Sequence, residues 1–231
     1  MEAEAKPLLD SLQLAKVNSK VPFAPFHIFS GDYKGTNVTL VTNGKDARFN
    51  VDNVGTTSGA LSAFYAINEV KPDLVINAGT AGGFKRVGAA IGDAFITTTC
   101  AHHDRRIPIP GFTEYGIGNH SSVPCKNLVE TLGFKSGPCT TSNSLDHCDM
   151  DDKLMLENGA SVKDMEAAAI AYVAELASVP FFGLKVVTDI VDGDRPTQEE
   201  FFENLAAASA SLQEKIPKVL DFVVGRKISD L

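Results

Sequence analysis

The sequence predicts an α/β fold in which a central mixed β-sheet is flanked by helices. Short apolar runs typical of buried strands alternate along the chain with segments of helical periodicity. At 231 residues, of which 44% are hydrophobic, the chain is long enough to bury a sizeable core. Because this length also suits one large domain, we expect a single domain over residues 1–231.

The first seventy residues are predicted to form a hairpin between two helices. The chain is expected to begin with a loop over 1–9 and a helix ending near Leu14. Two strands follow over 26–31 and 37–41, joined by a hairpin turn. A second turn over 43–46 then leads to a helix over 56–70. Leu61, Phe64 and Tyr65 have i, i+3, i+4 spacing and give the predicted apolar face of the last helix.

A buried strand followed by glycines is the first candidate for a ligand site. Residues 73–77 have the apolar run of a parallel strand, and the loop Ala-Gly-Thr-Ala-Gly-Gly follows over 78–83. Open α/β sheets bind ligands at the carboxyl ends of their strands. The spacing matches neither the dinucleotide fingerprint nor the phosphate-binding P-loop, which favours a small ligand held close to the backbone. A plain tight turn is the alternative.

The rest of the chain continues the alternation. Strands are predicted over 93–100, 134–141 and 179–187, and helices over 149–157 and from 197 to about 224. Thr197 is predicted to cap the last helix, with Glu200 completing a capping box. The long irregular stretch over 102–124 is expected to be functional or to contact another subunit.

Charge and composition exclude several classes of partner. The net charge of −8 disfavours binding to nucleic acid or to an anionic membrane surface. The sequence contains no signal peptide and no apolar run of membrane-spanning length. Its four cysteines form no C-x-x-C pair, which favours reduced thiols in the cytoplasm. His102, His103 and Asp104 have no second ligand pair at metal-site spacing, so we expect no metal at these residues.

Three carboxylates are the candidate catalytic groups. Glu166 opens an alanine-rich helix, Asp189 follows an apolar strand, and Glu4 lies near the start of the chain. Partial burial should raise the pKa of Asp189 and favour proton donation, with Thr188 orienting the acid. Glu166 should stay ionised and accept hydrogen bonds from paired hydroxyls, while Glu4 could polarise a water. This combination suits hydrolysis of a glycosidic bond. The alternative is that each group is a helix cap or a solvated surface residue.

The motifs around these carboxylates resemble those of 5′-methylthioadenosine nucleosidases, members of the purine and uridine phosphorylase superfamily. The matching segments are Asn-Ala-Gly-Thr-Ala-Gly-Gly over 77–83, Val-Lys-Asp-Met-Glu-Ala-Ala-Ala over 162–169, Val-Thr-Asp-Ile-Val-Asp-Gly over 187–193, His-Asp-Arg-Arg-Ile-Pro over 103–108 and Glu-Glu-Phe-Phe-Glu-Asn-Leu-Ala-Ala over 199–207. The resemblance covers essentially the whole chain and is greatest to the plant branch, which includes enzymes that also take S-adenosylhomocysteine. It implies a nucleoside phosphorylase-like fold, no cofactor, and a homodimer that acts in methionine salvage.

The resemblance also implies roles for individual residues. Asp189 would protonate adenine N7, Glu166 would hold the ribose 2′- and 3′-hydroxyls, and Glu4 would activate the attacking water. The implied substrate-binding residues are Thr80, Gly82, Leu145, Met165, Thr188, Ile107 and Lys185. The segment 103–118, which contains Ile107, would reach toward the partner subunit and complete the pocket for the thio-substituent.

The chain departs from the family pattern in two places. The family carries a strand before the Met-Glu-x-Glu segment, and this sequence begins at that segment. Either the gene product is shortened or the sheet lacks one of its central strands, and we expect a restored strand to raise stability and activity. Asn143 stands where the family usually has Asp, near the adenine edge of the site.

Two other functions remain open at this stage. A phosphate-dependent nucleoside phosphorylase would need cations for phosphate; related phosphorylases tend to have an arginine where this chain has Asn77, although Lys45 and Arg48 could contribute charge. A non-catalytic nucleoside-binding or storage protein would not need Glu166 and Asp189.

Overall fold

The central sheet and the helices on its two faces confirm the predicted α/β class. The computed structural model describes residues 1–6 and 8–231. Its strands are β1 (Ala15–Val17), β2 (His27–Tyr33), β3 (Thr36–Thr42), β4 (Lys45–Asp46), β5 (Val51–Asp52), β6 (Val75–Gly83), β7 (Ala94–His102), β8 (His120–Ser121), β9 (Lys135–Thr141), β10 (Val162–Asp164) and β11 (Phe181–Ile190). Its helices are α1 (Glu2–Leu12), α2 (Thr56–Val70), α3 (Phe112–Ile117), α4 (Lys126–Leu132), α5 (Asp149–Glu157), α6 (Ala167–Leu176) and α7 (Thr197–Val223).

The main sheet has the strand order β11-β6-β10-β9-β7-β8 and curls so that β11 also pairs with β7. Strands β6 and β11 run parallel along their whole length, and the register shifts between Val187 and Asp189. The continuous apolar run predicted for β11 fits its position, because nine of its ten residues are buried. The parallel pairing brings the carboxyl ends of β6 and β11 to the same edge of the sheet.

Helices cover both faces of this sheet. On one face, the alanines of α6 pack directly against β7 and β11, and α2 packs beside α6. The small side chains of Ala167, Ala168 and Ala174 are fully buried there, which lets the helix approach the sheet closely. On the other face, α4 and α7 pack on Phe182, Leu184 and neighbouring apolar residues. None of the described helices combines the length and the apolar character required to cross a bilayer.

A separate three-stranded antiparallel sheet has the order β1-β2-β3. It packs on α1 and α7 through Leu12, Leu14 and Leu220. The hydroxyl of Tyr33 donates a hydrogen bond to Asp221 of α7 at 2.8 Å. In this sheet β3 pairs only with β2 and is therefore an edge strand.

Several sequence predictions about loops are corrected by the structure. The segment 1–9 is not a loop, because α1 begins at Glu2, where alanines and first-turn acids favour a helix. Residues 78–83 are not a loop either, since β6 continues to Gly83 by pairing with β11 and β10. Within 102–124, the chain forms α3 and β8.

Two local predictions about helices are wrong. Leu61 and Phe64 of α2 are 54% and 62% exposed, and only Tyr65 of the predicted apolar face is buried. The side of α2 that packs on α6 instead carries Gly59, Ala63 and Ile67, all of which are buried. Pro196, not Thr197, is the N-cap of α7, and the Glu200 carboxylate instead accepts a hydrogen bond from the backbone N–H of Ile190 at 2.8 Å.

Candidate active site

The predicted site residues meet in one cavity at the shared edge of β6 and β11. The cavity has a volume of about 910 Å³. The predicted residues that line it are Glu4, Thr80, Gly82, Leu145, Met165, Glu166, Lys185, Thr188 and Asp189. Among the predicted site residues, Ile107 alone is not part of its lining; it lies half-buried between β7 and α3.

Asp189 has a buried carboxylate with one free oxygen. Its side chain is 2% exposed, Oδ1 accepts a hydrogen bond from Thr188 Oγ1 at 2.7 Å, and Oδ2 has no partner. Burial raises the pKa of Asp189 above its usual value, as the sequence predicted, and the Thr188 hydroxyl only partly opposes this. A Cβ at Gly82 would lie 2.7 Å from Oδ2, so glycine is required beside this oxygen.

Glu166 is the N-cap residue of α6 and faces the same cavity. The backbone N–H of Gly55 donates to its Oε1 at 2.7 Å. Desolvation, followed by the nearby Asp164 charge, raises the pKa of Glu166 to about 7. The expectation that Glu166 stays ionised therefore does not hold for the ligand-free site, where both protonation states are populated at neutral pH.

Glu4 reaches the cavity from α1 and is held by Thr80 of β6. Its Oε1 accepts hydrogen bonds from the backbone N–H of Thr80 at 2.7 Å and from Thr80 Oγ1 at 2.8 Å, while Oε2 contacts the α-amino group of Met1. Burial acts to raise the pKa of Glu4, but the α-amino group and the Thr80 hydrogen bonds hold it below its usual value. Glu4 and Glu166 thus differ in the direction of their pKa shifts.

A buried ion pair lies between these two glutamates. The Lys185 ammonium is 2.8 Å from Asp164 Oδ2 and donates to Asn77 Oδ1 at 2.6 Å. The other oxygen of Asp164 accepts from Thr141 Oγ1 at 2.6 Å, and its Oδ2 also accepts from the backbone N–H of Ala167. Burial disfavours the charge on Lys185, but the carboxylates, led by Asp164, raise its pKa above the usual value. Lys185 therefore lines the cavity as part of a fixed ion pair.

Lys163 anchors the loop that carries Leu145. Its ammonium donates to the backbone oxygens of Ser144 at 3.1 Å and Leu145 at 2.6 Å. Desolvation lowers the pKa of Lys163, with Asp189 the first of the carboxylates that oppose this. Together with half-buried Met165, Leu145 forms an apolar side of the cavity next to Asp189.

Asn143 joins two segments beside Glu166. Its Oδ1 accepts hydrogen bonds from the backbone N–H and the hydroxyl of Thr56, both at 2.9 Å. Its own N–H and Nδ2 donate to Asp104 Oδ2 at 2.7 and 3.1 Å. Because Thr56 follows Gly55, Asn143 fixes the backbone N–H that contacts Glu166.

Sequence reasoning did not assign roles to Lys163, Asp164, Gly55 or Asp104. Two charged residues, Lys163 and Asp164, directly precede Met165 in the 162–169 motif, and charges placed inside an otherwise apolar run are a usable signal. The contacts of Gly55 and Asp104 depend on residues far away in the chain and carry no local signal. Within residues 1–6 and 8–231, no group of three His, Cys, Asp or Glu side chains is placed to hold a metal ion.

Comparisons with known proteins show the family of the chain. Residues 1–222 match the model of the phosphorylase superfamily. The chain is 47% identical over 233 residues to a 5′-methylthioadenosine/S-adenosylhomocysteine nucleosidase of Arabidopsis thaliana, covering 100% of this chain and 92% of that protein. It is 44% identical to a 5′-methylthioadenosine nucleosidase of the same plant over 234 residues, covering 100% of this chain and 87% of that protein.

Solved structures give the same result. The apo form of Arabidopsis thaliana 5′-methylthioadenosine nucleosidase superposes with a TM-score of 0.98 at 44% identity, covering 100% of this chain and 96% of that one. A Helicobacter pylori nucleosidase at 18% identity has a TM-score of 0.80 over 96% of both chains, which shows the common fold. The chain therefore belongs to the phosphorylase superfamily and, within it, to the family of 5′-methylthioadenosine nucleosidases.

Proposed function

We propose that this protein hydrolyses the N-glycosidic bond of 5′-methylthioadenosine, releasing adenine and the 5-thio-ribose as a step of methionine salvage. The observation that carries the proposal is Asp189, which lines a cavity together with Glu166 and Glu4 and whose buried Oδ2 has no hydrogen-bond partner. An acid with a raised pKa beside two further carboxylates suits departure of a protonated base from a cationic ribosyl group.

In the proposed reaction, Asp189 donates its proton to adenine N7. The C1′–N9 bond then breaks, and its electron pair leaves with the base. Glu166 accepts hydrogen bonds from the 2′- and 3′-hydroxyls, which fixes the ribose and places negative charge near the developing cation. Water attacks C1′ and gives up a proton to Glu4, whose pKa is lowered so that it is ionised before the reaction.

Thr80 and the buried ion pair support the water side of this site. Thr80 holds Glu4 through two hydrogen bonds, and Lys185 is held by Asp164 close to the same backbone. A hydrogen-bonded carboxylate keeps its position through the reaction, which a water-activating group requires. Leu145 and Met165 offer apolar contacts for adenine and ribose.

The phosphorylase alternative has less support from the charges near the cavity. Lys45 pairs with Glu2 at 3.0 Å and Arg48 with Asp46 at 3.0 Å, and neither cation is among the lining residues. The Lys185 ammonium donates a hydrogen bond to Asn77, and the carboxylate of Asp164 neutralises its charge. A storage protein would have no use for the acid at Asp189.

The deciding experiment is adenine release from 5′-methylthioadenosine by the purified protein, with and without phosphate. We expect turnover that does not depend on phosphate and is lost in Asp189→Asn. Strict phosphate dependence would establish a phosphorylase, whereas binding without turnover by both proteins would establish the storage function. The same assay with S-adenosylhomocysteine measures how far the pocket extends beyond the ribose 5′ carbon.

We further propose a homodimer located in the cytoplasm. Leu61 and Phe64 on α2 are large, apolar and exposed, and the segment 103–118 carries the exposed aromatic residues Phe112 and Tyr115. Exposed apolar side chains of this size are typical of subunit contacts. All four cysteines are free, with Cys148 exposed, which suits a reducing compartment.

A further inference from the structure

Lys163 is a buried cation that has no carboxylate partner. Its side chain is 5% exposed and lines the cavity. Lys185 pairs with Asp164 at 2.8 Å, whereas Lys163 forms no ion pair with a carboxylate within residues 1–6 and 8–231. Lysine is almost never fully buried unless it is paired. The burial of Lys163 therefore points to a use for its charge.

The Lys163 ammonium is directed at three successive backbone oxygens. They belong to Ser144, Leu145 and Asp146 and lie at 3.1, 2.6 and 3.5 Å. An ammonium has three N–H donors, so these carbonyls occupy all of them and favour the charged form. Lys163 thus has no donor left for a ligand. It acts on the cavity through the loop over 144–146.

This loop depends on the contact with Lys163. Its three residues are exposed. In the described part of the chain, the only other side chain bonded to their backbone is Ser142, whose hydroxyl donates to the oxygen of Ser144 at 2.9 Å. Without the ammonium, the backbone of Leu145 and Asp146 would have no side-chain partner. The position of Leu145 beside the cavity therefore follows from Lys163.

Lys163 also lies in a row with the proposed acid. β10 places Lys163 opposite Gly82 of β6, and β11 places Asp189 opposite the same glycine. The Cα atoms of Lys163 and Asp189 are thus two strand spacings apart, roughly 10 Å. Gly82 has no side chain to stand between them, and a Cβ there would lie 2.7 Å from Asp189 Oδ2. This unpartnered oxygen leans over Gly82, toward the strand that carries Lys163.

The charges of Lys163 and Asp189 affect each other. Burial lowers the pKa of Lys163, and Asp189 is first among the carboxylates that oppose this. Burial raises the pKa of Asp189, and the Thr188 hydroxyl and Lys163 act to lower it. Glu200 of α7 is the other charged group that acts on Asp189, and it raises that pKa. Asp189 therefore lies between a cation on β10 and an anion on α7.

We propose that Lys163 is a positioning residue whose ammonium holds the loop over 144–146 beside the base and compensates the negative charge that Asp189 gains when its proton leaves. The inference rests on the proposed function, in which Asp189 protonates adenine N7 and the C1′–N9 electron pair leaves with the base. A buried carboxylate then remains, and desolvation makes it costly. Neutral carbonyls do not cancel the charge of Lys163, so that charge stays available to stabilise this carboxylate.

NMR titration of the Asp189 carboxyl carbon tests the charge effect without substrate. Lys163→Met keeps the length of the side chain and removes its charge, so the pKa of Asp189 should rise by about one unit. Lys163→Arg keeps the charge and should leave the titration near that of the parent protein. Glu200→Gln removes the opposing charge and should move the titration to lower pH. An Asp189 titration unchanged in Lys163→Met would overturn the proposal.

Backbone relaxation measured by NMR tests the loop separately. In Lys163→Met the order parameters of 144–146 should fall from about 0.85 to below about 0.6. The matched control is Lys153→Met, because Lys153 is 65% exposed and pairs with Glu157 on α5. This control should leave the loop unchanged, and equal order parameters in the two variants would contradict the proposal. If Lys163→Met does not fold, Lys163→Gln keeps two donors for the loop and tests the charge alone.

Adenine release distinguishes this inference from the proposed function. A parent protein that releases no adenine contradicts the proposed function, while the two NMR measurements still test Lys163. In an active parent, Lys163→Met should move the falling limb of kcat/KM to higher pH and raise KM for 5′-methylthioadenosine about three- to tenfold. A loss of kcat/KM that is equal at every pH would mean a structural defect only and would overturn the role toward Asp189.

Discussion

The surroundings of Asp189 favour the protonated form of its carboxyl group. Its carboxylate is buried, one oxygen accepts a hydrogen bond from Thr188, and the other has no hydrogen-bond partner. The cost of ionising a carboxylate there keeps the proton available for transfer at a higher pH than is usual for Asp. This environment is what distinguishes Asp189 from the other acids of the site.

Asp189→Asn is therefore expected to lower kcat by a factor of about 10³, the range for loss of a general acid. The amide keeps the size of the side chain, so binding of substrate should change little. The measurements are kcat from adenine release and Kd from calorimetry. Thr188→Val is the matched control and should reduce kcat by only about tenfold, because it removes orientation and not the proton. Equal losses in the two variants would contradict the assignment of the acid.

The raised pKa of Glu166 predicts that kcat/KM decreases on the acid side of its pH profile. Because its pKa in the free protein is raised to about 7, kcat/KM should fall as the pH drops through that value and the hydroxyl-accepting carboxylate becomes protonated. At higher pH, loss of the Asp189 proton should give a falling limb. In Glu166→Gln the acid limb should disappear and KM should rise, as measured by initial rates from pH 5 to 9.

The same shift has a consequence for stability. A carboxyl group with a raised pKa in the folded state stabilises the fold below its unfolded pKa of about 4.5, and this contribution is lost as the pH rises to about 7. Glu166→Gln should therefore gain stability relative to the parent protein between pH 4.5 and 7. A difference in unfolding free energy that does not vary over this range would show that Glu166 titrates at its usual pKa.

Asn143 is expected to act as a positioning residue. It donates to Asp104 and accepts from Thr56, so Asn143→Asp would place two carboxylates about 3 Å apart and loosen the segment that holds Glu166. Since the site is exposed, we expect a moderate loss of roughly three- to tenfold in kcat/KM, mainly through KM. Adding Asp104→Asn removes the repulsion and should restore KM. Failure of the double variant to recover would show that the Asn143 amide acts in another way.

At the scale of single residues, the sequence predicted the carboxylates but not their support. Glu166 stands out because it opens an alanine-rich helix, and Asp189 because it follows an apolar run. The partners Gly55, Asp104 and Asn77 are 111, 39 and 108 positions away from the residues they contact. Only the folded chain brings them together, and the raised pKa of Glu166 depends on this assembly.

Among the elements, the continuous apolar strands and the periodic helices were predictable. β11 and α2 lie where the pattern placed them, because an apolar run and a helical spacing are local properties. The continuation of β6 through its glycines was not predictable, since it depends on pairing with β10 and β11. Likewise, β10 is three residues long and exists only through its neighbours.

The contact between β9 and the start of β10 offers a test of element packing. A Cβ at Gly137 would lie 2.1 Å from Ser161 Oγ and 2.6 Å from its Cβ. Gly137→Ala should therefore destabilise the protein by about 1–3 kcal/mol, as expected for overpacking. Adding Ser161→Gly should recover most of this loss, whereas Ser161→Ala should recover less because the Cβ remains. Urea denaturation of the four proteins measures the differences, and equal recovery by both second substitutions would place the clash elsewhere.

On the scale of the whole molecule, the exposed apolar face of α2 explains why the helical pattern was misassigned. The spacing of Leu61, Phe64 and Tyr65 does define an apolar stripe, but Leu61 and Phe64 point to solvent while Ala63 and Ile67 pack on α6. A helix with apolar residues on two faces can bury one face within its own chain, as α2 does. The other side is then available for a second copy.

Leu61→Glu combined with Phe64→Glu should accordingly convert a dimer to a monomer. Both side chains are exposed in the single chain, so charges there leave the internal packing intact while opposing burial between subunits. The control pair, Leu156→Glu with Phe202→Glu, changes residues that are 62% and 65% exposed and leaves α2 and the segment 103–118 unaltered. Light scattering coupled to size-exclusion chromatography should give a dimer for the parent and control proteins. If the α2 variant remains a dimer, or the control pair also becomes monomeric, α2 is not the subunit contact.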